Sequence, residues 1–286
     1  MHKKLPYFIA EVSSNHAQNL ERCFQFIDTA AEIGCDAVKF QLFKIDELFA
    51  PEILNDSEPH RKRRAWELPL QFLPELSKRC QQQNIAFSCT PFYLKAVEEL
   101  EPYVDFFKIS SYELLWSDLI QRCSETGKPL VISTGMATED EIRSAVTAAS
   151  GCEKLTLLHC VSAYPTPIEQ CNLKTIETLR NTFGCDAGWS DHSVSPAVLY
   201  RATQHMQASM IEFHLDLDKK GEEYEAGHCW LPEQIYPVIK DIKQAHLADG
   251  SSSISISKSE LPDRDWRADP SDGLRPLLKT REIFKN

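Results

Sequence analysis

Two lysines stand where lysines are expensive. Lys39 lies inside the apolar run 37–42 and Lys108 inside the apolar run 106–110. A buried ammonium is strongly disfavoured unless it meets a negative partner. Hydroxyl side chains close the neighbouring apolar runs: Ser88 and Thr90, Ser111, and Ser133 with Thr134 and Gly135. Two lysines on segments that can converge, ringed by hydroxyls, make a pocket for a small anion such as a phosphate or carboxylate. Gly135 leaves room for backbone amides to approach an oxyanion. A single such lysine is explained as well by an internal ion pair. A Schiff base at either lysine stays open, since burial or a nearby cation lowers an ammonium pKa.

A second set offers imidazoles and carboxylates. Glu11, Asn15 and His16 gather at the end of the first apolar run. His159, Asp191 with His192, and Glu212 with His214 close later ones, and His228 follows in Gly227-His228-Cys229-Trp230. Imidazoles grouped at one mouth bind divalent metals. His214 and His228 meet only if the intervening loop, 216–227, folds back. A lone histidine is more often an ordinary core or surface residue.

The elements that must position these groups are short and regular. Apolar, β-branched or aromatic runs at 7–12, 37–42, 85–89, 106–110, 130–133, 155–160, 187–190 and 210–215 alternate with stretches of helical period. Such runs fit parallel strands buried on both faces. Between them, Leu20, Cys23, Phe24, Ile27 and Ala31 follow helical spacing, as do Ile235, Val238, Ile239 and Ile242. Thr138 with Glu141 reads as a capping box and Ser195-Pro196 as an N-cap followed by an N1 proline. Gly34 and Gly127 sit where helices should stop. Strict βα alternation implies a parallel sheet. Polar residues at the carboxyl end of nearly every strand favour a closed α/β (β/α)8 TIM barrel over an open sheet, which concentrates them at one switch point. No glycine-rich nucleotide motif supports the open alternative. The reading is a barrel over residues 1–249 and a short C-terminal tail over 250–286, introduced by Asp249-Gly250-Ser251-Ser252-Ser253.

Bulk properties narrow the class. The 286 residues suit one large barrel, and 42% hydrophobic content supports a sizeable core. A net charge of −11 disfavours nonspecific nucleic-acid binding. The basic run Arg61-Lys62-Arg63-Arg64, flanked by Glu58 and Glu67, reads as a solvated face. No apolar run approaches the roughly 20 residues that span a bilayer. Ten scattered cysteines without a signal sequence read as free thiols in a reducing, cytoplasmic setting.

Taken together the strand-end segments resemble a known family. Ile9-Ala10-Glu11 with Asn15-His16, Lys39-Phe40-Gln41, Ser88-Cys89-Thr90-Pro91-Phe92, Phe107-Lys108-Ile109-Ser110-Ser111-Tyr112-Glu113, Ser133-Thr134-Gly135-Met136, Leu158-His159-Cys160 with Tyr164-Pro165-Thr166-Pro167, Gly188-Trp189-Ser190-Asp191-His192 and Ile211-Glu212-Phe213-His214 appear in the order found in the N-acetylneuraminate (sialic acid) synthases. The likeness runs from about residue 7 to residue 245. It implies condensation of phosphoenolpyruvate with an N-acetylated aminohexose, such as N-acetylmannosamine, to a nonulosonic acid and phosphate, with manganese or magnesium as the metal. By position it implies that Lys39, Thr90, Lys108, Ser111 and Ser133 hold phosphoenolpyruvate. Glu11, Gln41, Glu113 and Tyr164 would line the reacting centre and the sugar, with Ser88, Ser162 and Asp191 among the substrate-binding residues. His214 and His228 would hold the metal, and Glu11 or Glu113 would act as acid or base.

Three departures accompany the resemblance. The family's C-terminal antifreeze-like domain, which lends an arginine to the partner's sugar site in a dimer, has no counterpart in the tail. Arg275 or Arg267 is the candidate replacement, and a homodimer stays open. The usual Pro-Asp-His around the second metal histidine is Ala226-Gly227-His228, and a position that is commonly asparagine is Ser162. Two rival readings remain. One is a metal-dependent hydrolase using His16, His159, His214 and Asp191. The other is a non-catalytic sugar-phosphate binding barrel.

Overall fold

The computed structural model describes residues 5–284. Nine strands run in the order β1 (Tyr7–Glu11), β2 (Ala37–Leu42), β3 (Ala86–Pro91), β4 (Phe106–Ile109), β5 (Leu130–Ser133), β6 (Leu155–Cys160), β7 (Asp186–Asp191), β8 (Met210–Leu215) and β9 (Cys229–Trp230). Each pairs in parallel with the next, and β1 also pairs with β8, so the first eight close into a barrel. All eight expected strands are present, with ends shifted by at most two residues. The sequence reading lacked β9, a two-residue strand that extends β8 beside His214.

The helices form where their signals lie. Thr138 and Glu141 make the reciprocal capping box of Glu139–Ala148. Pro196 opens Pro196–Tyr200 after Ser195. Gly34 and Gly127 adopt φ of +86° and +76°, the left-handed conformation that ends the preceding helices. Helix Leu20–Glu32 buries Cys23, Phe26, Ile27 and Ala30, a face rotated slightly from the expected one; Phe24 and Ala31 pack at its edge.

The strand period sorts the side chains into two cores. Residues such as Phe8, Val38, Phe87, Phe107 and Ile132 face outward and pack against the helices. The opposite parity faces the barrel axis. There Ile9, Ala37, Phe106, Val131 and Leu158 form a small apolar cluster. Two residues further along the same strands come Glu11, Lys39, Lys108, Ser133 and Cys160. The alternation thus puts an apolar floor under a polar layer, one strand step apart.

The chain divides into two compact units, Met1–Leu247 and Ala248–Asn286. The second is built from short turns around buried Asp269, which accepts from the backbone N–H groups of Ser271 and Leu278. Arg281 pairs with Asp272, and the Trp266 and Phe284 rings meet at 6.1 Å. Arg275 and Arg267 are exposed residues of this unit. All ten cysteines are free thiols. Among the described residues, no helix is long and apolar enough to cross a membrane.

Candidate active site

A cavity of about 510 Å³ opens at the carboxyl ends of the strands. Glu11, Lys39, Gln41, Lys108, Ser111, Glu113, Ser133, Tyr164, His214 and His228 all line it. Both lysines therefore face one space. Each is at most 3% exposed.

The lysines do not stand free: internal carboxylates accompany both. Lys39 Nζ lies 2.5 Å from Glu11 Oε2 and 3.9 Å from Glu212 Oε2, and donates to Thr90 at 3.1 Å. Lys108 Nζ donates to Ser133 Oγ at 2.7 Å and to the Ile109 carbonyl, and lies 3.5 Å from Glu212 Oε1. Burial alone would deprotonate such groups, so the fold supplies carboxylates. The two lysines then diverge. Burial lowers the Lys39 pKa, but Glu11 and Glu212 outweigh it and hold it above the usual range. For Lys108 burial wins over the attraction of Glu212, and its pKa falls. Glu212 lies between them. Burial opposes its charge, yet Lys108 and Lys39 keep its carboxyl low, at about 2.

The two candidate acid–base residues are also in different settings. The Glu11 carboxylate accepts from Ser13 N–H at 3.0 Å and Gln41 Nε2 at 2.8 Å in addition to its lysine contact. Glu113 accepts from the Ser110 hydroxyl and has no lysine in contact among the described residues. Burial raises its pKa, against the pull of that hydrogen bond and of Lys108.

At the other end of the cavity the loop after β8 does fold back. Its short helix Glu222–Glu225 brings Glu223 against both histidines. Glu223 Oε2 is 2.8 Å from His214 Nδ1 and 3.8 Å from His228 Nε2. His214, Glu223, His228 and Cys229 each offer a ligand atom, all within 4.8 Å of one another. Burial opposes the Glu223 charge, but His214 and the Ser13 hydroxyl hold its pKa at about 2. Burial, reinforced by neighbouring His214, lowers His228 to about 4. At neutral pH this leaves a carboxylate beside a neutral imidazole, the states in which both ligate metals.

Several expected site residues lie elsewhere. Ser88 is buried and donates to the Phe106 carbonyl at 3.0 Å. Thr90 is buried, accepts from Lys39 at 3.1 Å and pairs in register with Gln41. Ser162 packs against Gly135, where an added Cβ would also meet Ser111 Oγ at 2.7 Å, so a larger residue there would have to displace both serine hydroxyls. Asp191 is fully buried and accepts from the indoles of Trp189 and Trp230, both at 2.9 Å, and from Ser193. None of these four lines the cavity, and Asp191 is a brace between β7 and β9. Asp191→Ala orphans two buried N–H donors at about 1–3 kcal/mol each. It should lower the thermal midpoint by several degrees while KM values of the folded fraction stay unchanged, as melting curves and kinetics on one preparation will show. Arg275 belongs to the second unit.

The hydrolase set is likewise dispersed. His16 is buried, its Nδ1 accepting from Gln18 N–H, and His159 bonds the Cys171 carbonyl. Neither lines the cavity.

Other wall residues were not singled out from sequence. Cys160 Sγ lies 3.9 Å from His192 Nδ1. Arg63 corrects the reading of its basic run as a solvated face. Lys62 and Arg64 do pair outward with Glu58 and Asp46. Arg63 instead lines the cavity, its guanidinium 5.1 Å from the Trp66 ring and 5.6 Å from that of Phe49. A run of like charges carries no sign of which member a short helix turns inward.

Comparison with known proteins agrees with this geometry. Residues 26–253 match the model of the NeuB family. N,N'-diacetyllegionaminic acid synthase of Campylobacter jejuni is 34% identical over 274 residues, 90% of this chain and 81% of that protein. Pseudaminic acid synthase of Helicobacter pylori is 30% identical over 294 residues, 98% of this chain and 86% of that protein. The N-acetylneuraminic acid synthetase of Leptospira borgpetersenii, solved with citrate, superposes with a TM-score of 0.79 at 26% identity over 94% of both chains. With its closed barrel and its cavity of lysines, carboxylates and histidines, the chain belongs to the NeuB family and is an enzyme of the sialic acid synthase type.

Proposed function

We propose that the chain condenses phosphoenolpyruvate with the open-chain aldehyde of an N-acetylated aminohexose, giving a nonulosonic acid and phosphate. The observation that carries this reading is one cavity lined both by Lys39 and Lys108 and by His214, Glu223 and His228. Lys108 shares one carboxylate with Lys39, so an arriving anion completes its charge balance. Ser133 and Ser111 add hydroxyl donors beside it.

The residues present fit a divalent cation. His228 is buried, its Nδ1 has no hydrogen-bond partner, and its Nε2 points at a carboxylate too distant for a hydrogen bond. Two imidazoles and a carboxylate suit a divalent transition metal such as manganese better than magnesium, which prefers oxygen ligands. Such a cation supplies Lewis-acid polarisation of the aldehyde carbonyl. The protein's own part is to hold the enolpyruvate C3 against that carbon and to move the protons. Carbon–carbon bond formation leaves C2 open to water, whose two protons end on the former aldehyde oxygen and on the departing phosphate. Glu113, with its raised pKa and its Ser110 hydrogen bond, is the group placed to take and pass on a proton of that water. Glu11 is committed to Lys39, Gln41 and Ser13, so its role is to fix the lysine.

A panel of N-acetylated aldoses with phosphoenolpyruvate and manganese tests the reading. Phosphate should appear only when all three components are present, with a product mass equal to sugar plus pyruvate. Folded protein that releases no phosphate across the panel, or releases it without any aldehyde, rules the reading out.

A further inference from the structure

We propose that Glu223 is a third protein ligand of the cation, making the centre His214–Glu223–His228. This rests on the functional reading above and goes beyond it, because neither histidine spacing nor the strand-end segments point to this residue. Glu223 sits in the loop between the two histidines, five residues before His228.

Three observations place it. First, its two oxygens are divided. Oε1 is held by the Ser13 hydroxyl, with Ser14 Oγ at 3.4 Å, while Oε2 is turned to His214 Nδ1 and His228 Nε2. One oxygen is anchored and the other is presented, as outer hydrogen bonds do for ligating carboxylates. Second, nitrogens of two different histidines converge on that one oxygen, and all the donor atoms lie within 4.8 Å of one another. An oxygen that only braced His214 has no reason to sit before His228 as well. Third, the loop is built to bring it there. An added Cβ at Gly221 would run into the Asn15 amide, whose nitrogen donates to the Leu215 carbonyl at 3.0 Å. Glycine at 221 lets the loop close over the end of β1.

Cys229 is the fourth candidate donor. Its buried Sγ lies 3.8 Å from Glu223 Oε2. A soft sulfur ligand suits Mn2+ less well than a carboxylate does. Two imidazoles and one carboxylate leave the remaining coordination positions to substrate and water, as open catalytic sites require.

The test is metal binding by the intact, metal-stripped chain, read by calorimetric Mn2+ titration and by Co2+ absorption. Wild type should bind one Mn2+ per chain. Glu223→Gln keeps the size of the side chain and an acceptor for His214 but loses the anionic ligand. It should weaken Mn2+ by more than the roughly 10–100-fold typical of outer hydrogen-bond partners. Gly221→Ala, which leaves Glu223 in place but obstructs the loop, should weaken it about tenfold. Cys229→Ser should stay within threefold, and cobalt-loaded wild type should show no thiolate-to-metal charge-transfer band. Glu223→Gln binding within tenfold of wild type, while His228→Ala loses the metal, overturns the ligand assignment and leaves the functional reading standing. Wild type that binds no Mn2+ overturns both.

Discussion

On the proposed function, Lys108→Ala should raise the KM for phosphoenolpyruvate by two to three orders of magnitude and destabilise the fold as well. Removing one member of a buried ionic contact costs about 3–5 kcal/mol. The same range, at about 1.4 kcal/mol per tenfold, sets the loss of affinity for an anion that meets this ammonium. Glu212 is the residue left exposed to the change. Its carboxyl is held low by Lys108 and Lys39 together, and with Lys108 gone it keeps a lysine 3.9 Å away and the Ser190 hydroxyl at 3.0 Å. The two effects separate in Lys108→Ala/Glu212→Gln. Neutralising the orphaned carboxylate should recover most of the lost melting temperature without recovering phosphoenolpyruvate binding. Unchanged phosphoenolpyruvate affinity in Lys108→Ala, measured directly by titration, would sink the anion pocket.

Glu113→Gln should lower kcat by about 10²–10⁴-fold, the span of a positioned acid or base, with the KM for phosphoenolpyruvate nearly unchanged. The pH profile carries the sign. A base works above its pKa and fails below it. Burial raises the Glu113 pKa, so the acidic limb of kcat should lie above the ordinary carboxylate range and vanish in the glutamine variant. Glu11→Gln supplies the contrast. Its loss loosens Lys39, so the effect should fall on phosphoenolpyruvate KM. A Glu113→Gln enzyme with wild-type kcat and an intact acidic limb would return the proton-transfer role to Glu11.

The barrel was legible because its signal is local and repeated. Each strand carries its own apolar run, and each polar strand end points the same way. Lys39, Lys108, Ser133, His214 and others on the inward parity line the cavity for that reason. What the pattern does not carry is long-range. Ser88 and Asp191 have similar chemistry at strand ends, but Ser88 donates to a carbonyl, Asp191 accepts from two indoles, and Thr90 accepts from Lys39. Residue type cannot report whether a side chain's hydrogen bonds are already taken. Glu223 and Arg63 lie in irregular segments whose path depends on contacts with β1 and with Trp66, so no period marks them. Glu212 was visible as an inward residue, but its importance follows only from the Nζ positions on either side.

The apolar floor of Ile9, Ala37, Phe106, Val131 and Leu158 has a kinetic corollary. A vessel closed on that side fills and empties from the other. On the proposed occupancy the molecule that settles on the lysines, two residues above the floor, should arrive before the sugar, and its spent phosphate should depart after the sugar acid.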